Sequence, residues 1–438
     1  MTGTRLGDRI AAWRSKGTAP AQRLLPMPAL PLTGDADRAE ALLAQDSVWD
    51  APDAMAFGWL DDLAALGDER TGRFAARMAN DWVTTFGTGR DWTPEATGLR
   101  LLRWLAHARF LYPRGVPAHV MDTLPRQAAY LQKRWHGAPA GWPQMAALAG
   151  LSAAALVLER PELRPAFPAI PALPRRPDDL LQALILLLAL RDTWPDAPVP
   201  PSIEQAVGAL RMMRHTDGRL TGLAGGRDSD PVQLDAALVA SRVRGPVPPQ
   251  GMGLMRLSRS RSSVLVDVSG PDFAFELTAG RCPIVVATPH LRAGMQIAGT
   301  KQSRPGISVQ RGAMDLVAGH DGWKGMLCTR SLTLTPDGHA LTGSDRLEPR
   351  TRRPRPVDMF LFFPLHPDIA AEQEPDAVRL TLPNGDVWRF TADGARVDAA
   401  QHAIALPCHV PRFPARIDWT FAKSDATPLT IRDLPTGA

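Results

Sequence analysis

The chain has 438 residues, a formal net charge of +5, 45% hydrophobic and 22% charged residues. This composition is ordinary for a globular protein, and the length allows two or three domains with separate cores. Its three cysteines, Cys282, Cys328 and Cys408, are too few and too scattered for a disulfide framework and match no zinc-ligand spacing. Only five of the 50 basic residues are lysines, at 16, 133, 301, 324 and 423. The arginines are scattered, with one cluster at residues 350–356, and no aromatic RNA-binding motif accompanies them, so nucleic acid is not an expected partner. Residues 180–190 form the longest apolar run, far short of the ~20 residues that span a bilayer. Met1 to Pro20 contain no apolar stretch of the signal-peptide kind, which makes the cytoplasm the default expectation.

From about residue 35 to 215 the apolar period is helical. Leu101, Trp104, Leu105 and Ala108 follow the i, i+3, i+4, i+7 rule, behind Thr93 as a cap and Pro94 as the first helical residue. Ser202-Ile203-Glu204-Gln205 reads as a second start, with Ser202 and Gln205 as a capping box. Apolar segments near 145–158 and 180–190 alternate with proline-rich turns at 161–177 and 195–201. The expected unit is therefore a helical domain over 1–243, made of hairpins joined by stiff loops.

Residues 244–253 are rich in glycine and proline and read as a linker, after which the period changes. Residues 263–268, 273–277 and 284–287 are short strand-like runs. Asp337-Gly338 and Asn384-Gly385 mark hairpins between longer apolar-alternating runs, since these residues accept positive φ. Strands continue through 403–406 and 417–421, giving an antiparallel sandwich over 254–424. Residues 291–306 read as a glycine-rich loop, and 425–438 as a loose tail.

Two turn motifs flank the change of architecture: Arg214-His215-Thr216-Asp217-Gly218 and Gly319-His320-Asp321-Gly322-Trp323. Together with Trp92-x-Pro94, Arg100 and Trp104, residues 180–191 and 211–218, the run 273–280, and Gly343-Ser344-Asp345-Arg346-Leu347, they give the chain a recognisable order. This order resembles the heparinase II/III-like family of polysaccharide lyases. The resemblance implies an incomplete α/α-toroid followed by an antiparallel β-sandwich, with an acidic polysaccharide or oligosaccharide bound between them and cleaved by β-elimination. It also implies a periplasmic alternative to the cytoplasmic location.

β-Elimination needs a donor that offsets charge on the uronate carboxylate, a base for the C5 proton and an acid for the leaving oxygen. The family supplies an Asn or His and a Tyr from the helical domain, and a His from the β domain. The chain has two tyrosines, Tyr112 and Tyr130, both on or beside amphipathic helices, where a core role competes with catalysis. Arg176 stands where relatives carry an amide, and Gly270-Pro271-Asp272 stands where they carry a histidine before Phe273. The family's His-Ser/Asn-Thr motif is missing, and Cys328-Thr329-Arg330 replaces His-Arg-Arg; no zinc or other cofactor is expected. The remaining candidates are Tyr130 or His215 as base or acid and His136 or Arg176 as neutraliser. Arg176, Arg214, His320 and Trp323 are candidates for substrate binding. For each a structural role is open as well: a helix-end cation for His215, a solvated surface residue for His136, Arg176 and Arg214, a turn for His320-Asp321-Gly322 and a core position for Trp323. Three functional readings follow: an active lyase, a catalytically degenerate glycan-binding or scaffold homologue, and a glycoside hydrolase, which would need a facing carboxylate pair.

Overall fold

A computed structural model describes residues 5–89, 91–170, 172–226, 229–246, 252–288, 290–298, 306–323, 325–352 and 354–424. The chain divides into two compact units, Met1–Arg211 with Asp230–Gln250, and Met212–Ser229 with Gly251–Ala438. The expected tail and the centre of the expected linker lie outside the described residues.

The first unit is helical: α1 (Leu6–Arg14), α2 (Ala36–Gln45), α3 (Gly58–Leu66), α4 (Glu69–Phe86), α5 (Pro94–Ala106), α6 (Ala108–Leu111), α7 (Ala118–Arg134), α8 (Trp142–Val157), α9 (Pro177–Thr193), α10 (Pro200–Met213, whose last two residues belong to the second unit) and α11 (Pro231–Ser241). The start of α5 follows the local code: Thr93 Oγ1 accepts from Ala96 N at 3.4 Å, and Pro94 occupies the first turn. The start of α10 does not, because the helix already begins at Pro200 and Ser202 lies within its first turn. Pro200 and Pro201 need no helical N–H there, so they lengthen the helix beyond the capping box.

Helices α8 and α9 are buried on nearly every side, which places them at the centre of the unit. Close approach between α5 and α8 depends on two glycines. A Cβ on Gly98 would lie 2.3 Å from Ala146 O, and one on Gly150 would lie 2.1 Å from Gly98 O. Gly98→Val is therefore expected to separate the two backbones and destabilise the unit by about 1–3 kcal/mol or more. A urea midpoint unchanged from wild type would contradict this packing.

The second unit contains β1 (Leu254–Arg259), β2 (Ser262–Asp267), β3 (Phe275–Ala279), β4 (Cys282–Val285), β5 (Gly294–Ile297), β6 (Ile307–Arg311), β7 (Asp315–Trp323), β8 (Met326–Leu334), β9 (Ala340–Pro349), β10 (Val357–Pro364), β11 (Ala370–Gln373), β12 (Val378–Thr381), β13 (Val387–Thr391), β14 (Arg396–Asp398), β15 (Ala403–Val410) and β16 (Ala415–Lys423). They form three sheets, ordered β1-β2-β3-β4, β14-β15-β10-β5 and β11-β12-β13-β16-β9-β8-β7-β6. Every pairing given for them is antiparallel. Asp337-Gly338 joins β8 to β9 and Asn384-Gly385 joins β12 to β13, with φ of 75° and 84° at the two glycines.

Strands from all three sheets contribute to one hydrophobic core, including Phe275, Met295, Leu332, Leu361, Leu406 and Trp419. Burial alternates along β8 and β9, as expected where one face of a strand meets the core. Residues 291–306, read from sequence as a loop, instead contain β5, which pairs with β10 through Met295↔Leu361. A four-residue strand with glycine at its start carries little local signal, and its partner lies 60 residues away in sequence.

Candidate functional site

The sequence candidates fall into separate neighbourhoods. In the first unit, Tyr130 is fully buried on α7 and its hydroxyl donates to Trp92 O at 3.1 Å. Its ring meets Trp92 edge-to-face, with centroids 5.4 Å apart. Burial, with Asp8 adding to it, raises the hydroxyl well above its ordinary pKa, so it holds its proton. Tyr112 is buried as well; its oxygen accepts from Trp104 Nε1 at 3.3 Å, and burial pushes it up to about 12. The Trp92, Arg100 and Trp104 motif belongs to the same core. Arg100 donates to Gln127 Oε1 at 2.7 Å, Met55 O at 2.6 Å and Thr97 Oγ1 at 3.1 Å, and its guanidinium lies 4.0 Å from the Trp82 ring centroid. The motif thus builds a hydrogen-bonded cation into an aromatic core.

His136 is exposed in the turn Trp135–Gly137, edge-on to Trp135. Arg176 occupies the position just before α9, half-buried, with Nε 3.8 Å from Asp178 Oδ2. Neither is brought beside Tyr130 by a hydrogen bond or ion pair given for the described residues.

In the second unit, His215 is buried among polar partners. Its Nε2 lies 2.6 Å from Glu276 Oε2, and its Nδ1 lies 3.0 Å from Thr278 Oγ1. An ionised carboxylate only accepts, so Nε2 carries the donated proton. Glu276 also accepts from the Thr221 hydroxyl, and from Gly222 N and Ala287 N at 2.9 Å each. Burial opposes ionisation of Glu276, but donors from His215, Thr221 and Ala287 outweigh it and hold its pKa below the ordinary range. The cluster fastens residues 213–222 to β3 and ties β3 to Ala287, beyond β4; it is a closed network, not an open base. Asp217 Oδ1 accepts from Arg219 N at 3.0 Å, and Arg214 Nε donates to Gly218 O at 3.3 Å, so both support the same turn.

Glu276 was not among the sequence candidates. Its signal was a lone carboxylate within the apolar run Phe273–Leu277. Since β3 is buried along its whole length, a charge there requires a dedicated set of donors.

The His320 motif forms the C-terminal end of β7, at a register shift between His320 and Trp323. His320 is 1% exposed and Trp323 is 2% exposed, so both rings pack in the core, the histidine edge-on to Phe273 at 4.9 Å. Neither ring is presented to solvent in this conformation. His320 Nδ1 accepts from Gly322 N at 3.1 Å. Burial lowers its pKa to about 4, with Arg330 adding to this and Asp321 opposing it. Between pH 6.5 and about 4, the unfolded chain binds a proton that native His320 does not. Stability is therefore expected to fall with acidification across that window, by on the order of 3 kcal/mol. His320→Leu should flatten this part of a stability–pH profile; an identical slope in the variant would contradict the assignment.

Beside this ring lies a core ion pair. Arg330 and Asp345 are cross-strand partners, with Nε–Oδ1 2.7 Å and Nη2–Oδ2 2.9 Å. Trp419 Nε1 donates to Asp345 Oδ2 at 2.9 Å, and Arg330 Nη1 donates to Phe273 O at 3.1 Å. Gly343 leaves room for Trp419, because a Cβ there would meet the indole at 2.0 Å. The Gly343-Ser344-Asp345 motif thus has a packing role and an electrostatic role. Phe273, held by Arg330, has φ of 42°. Asp272, just before Phe273, is half-buried; burial raises its pKa, while Arg292, 3.4 Å away, opposes the shift. Arg292 also pairs with Asp267 at 2.7 Å.

A family model described as heparinase II/III-like, C-terminal, matches residues 290–427. Over that stretch the chain is similar, as a divergent match, to the heparinase II/III-like family. No sequence among curated proteins matches it. Heparan sulfate lyase HepC from Pedobacter heparinus aligns over 95% of this chain and 87% of its own, at 11% identity and TM-score 0.53. Heparinase III aligns over 85% and 77%, at 9% identity and TM-score 0.58. Chondroitin AC lyase of Streptomyces coelicolor A3, in complex with chondroitin sulphate, aligns over 98% and 81%, at 12% identity and TM-score 0.51. At these identities the likeness establishes the fold: a helical α/α-toroid-type region followed by an antiparallel sheet-rich region. Arg100, His215, His320 and Asp345 are all buried.

Proposed function

We propose that this heparinase II/III-like protein binds an acidic glycan and does not cleave it. The observation that carries the reading is the burial of both tyrosines in the chain, each with its hydroxyl engaged and its pKa raised. A β-elimination base must reach the C5 proton at hydrogen-bond distance. Burial of His215 and His320, and Gly270-Pro271-Asp272 in the segment before Phe273 where the family resemblance implies a histidine, support the same reading. Support for an acidic glycan as ligand comes from the lyase fold, from the structural relatives that are heparan sulfate and chondroitin lyases, and from a chain whose cations are mostly arginine, a good fork for carboxylate and sulfate.

Titration calorimetry with heparan sulfate, chondroitin sulfate and alginate oligosaccharides tests the binding half of the reading. Saturable binding to at least one, weakened by added salt, is expected. Absence of binding to all three would remove the glycan role for these ligand types and leave a scaffold. If turnover accompanies binding, exposed His136 becomes the first candidate for the neutraliser or base.

A further inference from the structure

Helix α1 buries one side and leaves the other uncovered. Asp8, Ala11, Ala12 and the following Ser15 are buried, while Leu6, Ile10 and Trp13 are 73%, 43% and 67% exposed. The three apolar residues are spaced i, i+4 and i+7, so they form one narrow stripe. On a helical wheel Arg9 borders the stripe on one side and Arg14 on the other, with Lys16 just beyond the helix. None of these three cations forms an ion pair among the described residues. The opposite side is held in place: Asp8 Oδ1 accepts from Arg134 Nε on α7 at 2.7 Å, and Arg5 Nη1 donates to Gly137 O at 3.2 Å.

We infer that α1 is a docking helix for an anionic lipid surface. An interfacial helix needs an apolar face with Trp and aliphatic side chains, bordered by cations that meet lipid phosphates. Here Leu6, Ile10 and Trp13 supply the face, Arg9, Arg14 and Lys16 supply the border, and the small buried residues fix the helix flat against its own unit. A soluble acidic glycan accounts for the cations and for stacking on Trp13, but not for exposed Leu6 and Ile10. A second copy of the chain would bring the uncompensated cations of both copies together. None of the described helices is long and apolar enough to cross a membrane.

The test is co-sedimentation of the full chain with vesicles of phosphatidylcholine mixed with phosphatidylglycerol, and with phosphatidylcholine alone. The expected result is binding to the mixed vesicles, falling with salt and weak on the neutral ones. The triple variant Leu6→Gln, Ile10→Gln, Trp13→Gln should lose at least tenfold in affinity, as should Arg9→Glu with Arg14→Glu. All five side chains are exposed, so the thermal transition should remain at its wild-type position. Three results would overturn the inference: no binding of wild type to the mixed vesicles, equal binding by the triple variant, or a wild-type dimer that the triple variant converts to monomer. Loss of acidic-oligosaccharide binding in the triple variant, with vesicle binding intact, would assign the face to glycan instead.

Discussion

Arg330→Ala is expected to cost the second unit about 3–5 kcal/mol, the usual penalty for removing one partner of a buried ion pair. The reason lies in what remains. Asp345 is fully buried, and without Arg330 it keeps the Trp419 N–H from the neighbouring strand while losing a bidentate partner. Phe273 O also loses the donor that holds this residue at positive φ. The arginine is packed as well, with its guanidinium within 6 Å of the Phe275 and Trp419 ring centroids, so truncation removes contacts along with charge. The double variant Arg330→Met with Asp345→Leu should be much less damaging than either single change, because it leaves no buried charge behind. Hydrogen exchange in β8 and β9 checks both expectations. A double variant as unstable as Arg330→Ala would show that packing, and not the uncompensated charge, sets the cost.

Glu276→Ala is expected to be comparably severe, about 3–5 kcal/mol, because it leaves His215, Thr221, Gly222 N and Ala287 N without their shared acceptor. Its effect should be local first: exchange should accelerate in residues 213–222, whose attachment to β3 depends on this carboxylate. Glu276→Gln keeps the volume and part of the acceptor capacity, so a smaller loss is expected. The pH dependence has a definite sign. The folded pKa of Glu276 lies below its unfolded value of about 4.3, so its contribution is complete above that pH and is lost as pH falls through the folded value. The Gln variant should lack this acid limb. Unchanged exchange in 213–222 after Glu276→Ala would contradict the role assigned to the cluster.

Legibility in the sequence followed the range over which each feature is determined. Thr93-Pro94 and the Asp337-Gly338 and Asn384-Gly385 turns act within four residues, and the structure places a helix start and two hairpins there. The switch from period 3.6 to period 2 near residue 250 likewise needed no partner. Strand β5 was not legible, since Gly294–Ile297 becomes a strand only through β10. The start of α10 was displaced by a proline pair that the capping-box pattern outweighed. At the site, the motifs were visible but their exposure was not. His320 and Trp323 resemble surface turn residues locally, and only the strands packed over them bury both. Glu276 was hidden for the opposite reason: one acid in an apolar run gives no hint of its partners at 215, 221, 222 and 287, most of them far along the chain. The family resemblance pointed to candidate positions and said little about whether each one faces solvent or core.

On the proposed reading, this lyase-like fold binds an acidic glycan without cleaving it. Incubation of the full chain with heparan sulfate, chondroitin sulfate and alginate, followed by ultraviolet absorbance of the unsaturated uronate product, tests it most directly. That reading predicts no absorbance increase over the protein-free control, even with substrates for which calorimetry detects binding. A steady increase that scales with protein concentration and disappears in His136→Ala would contradict it.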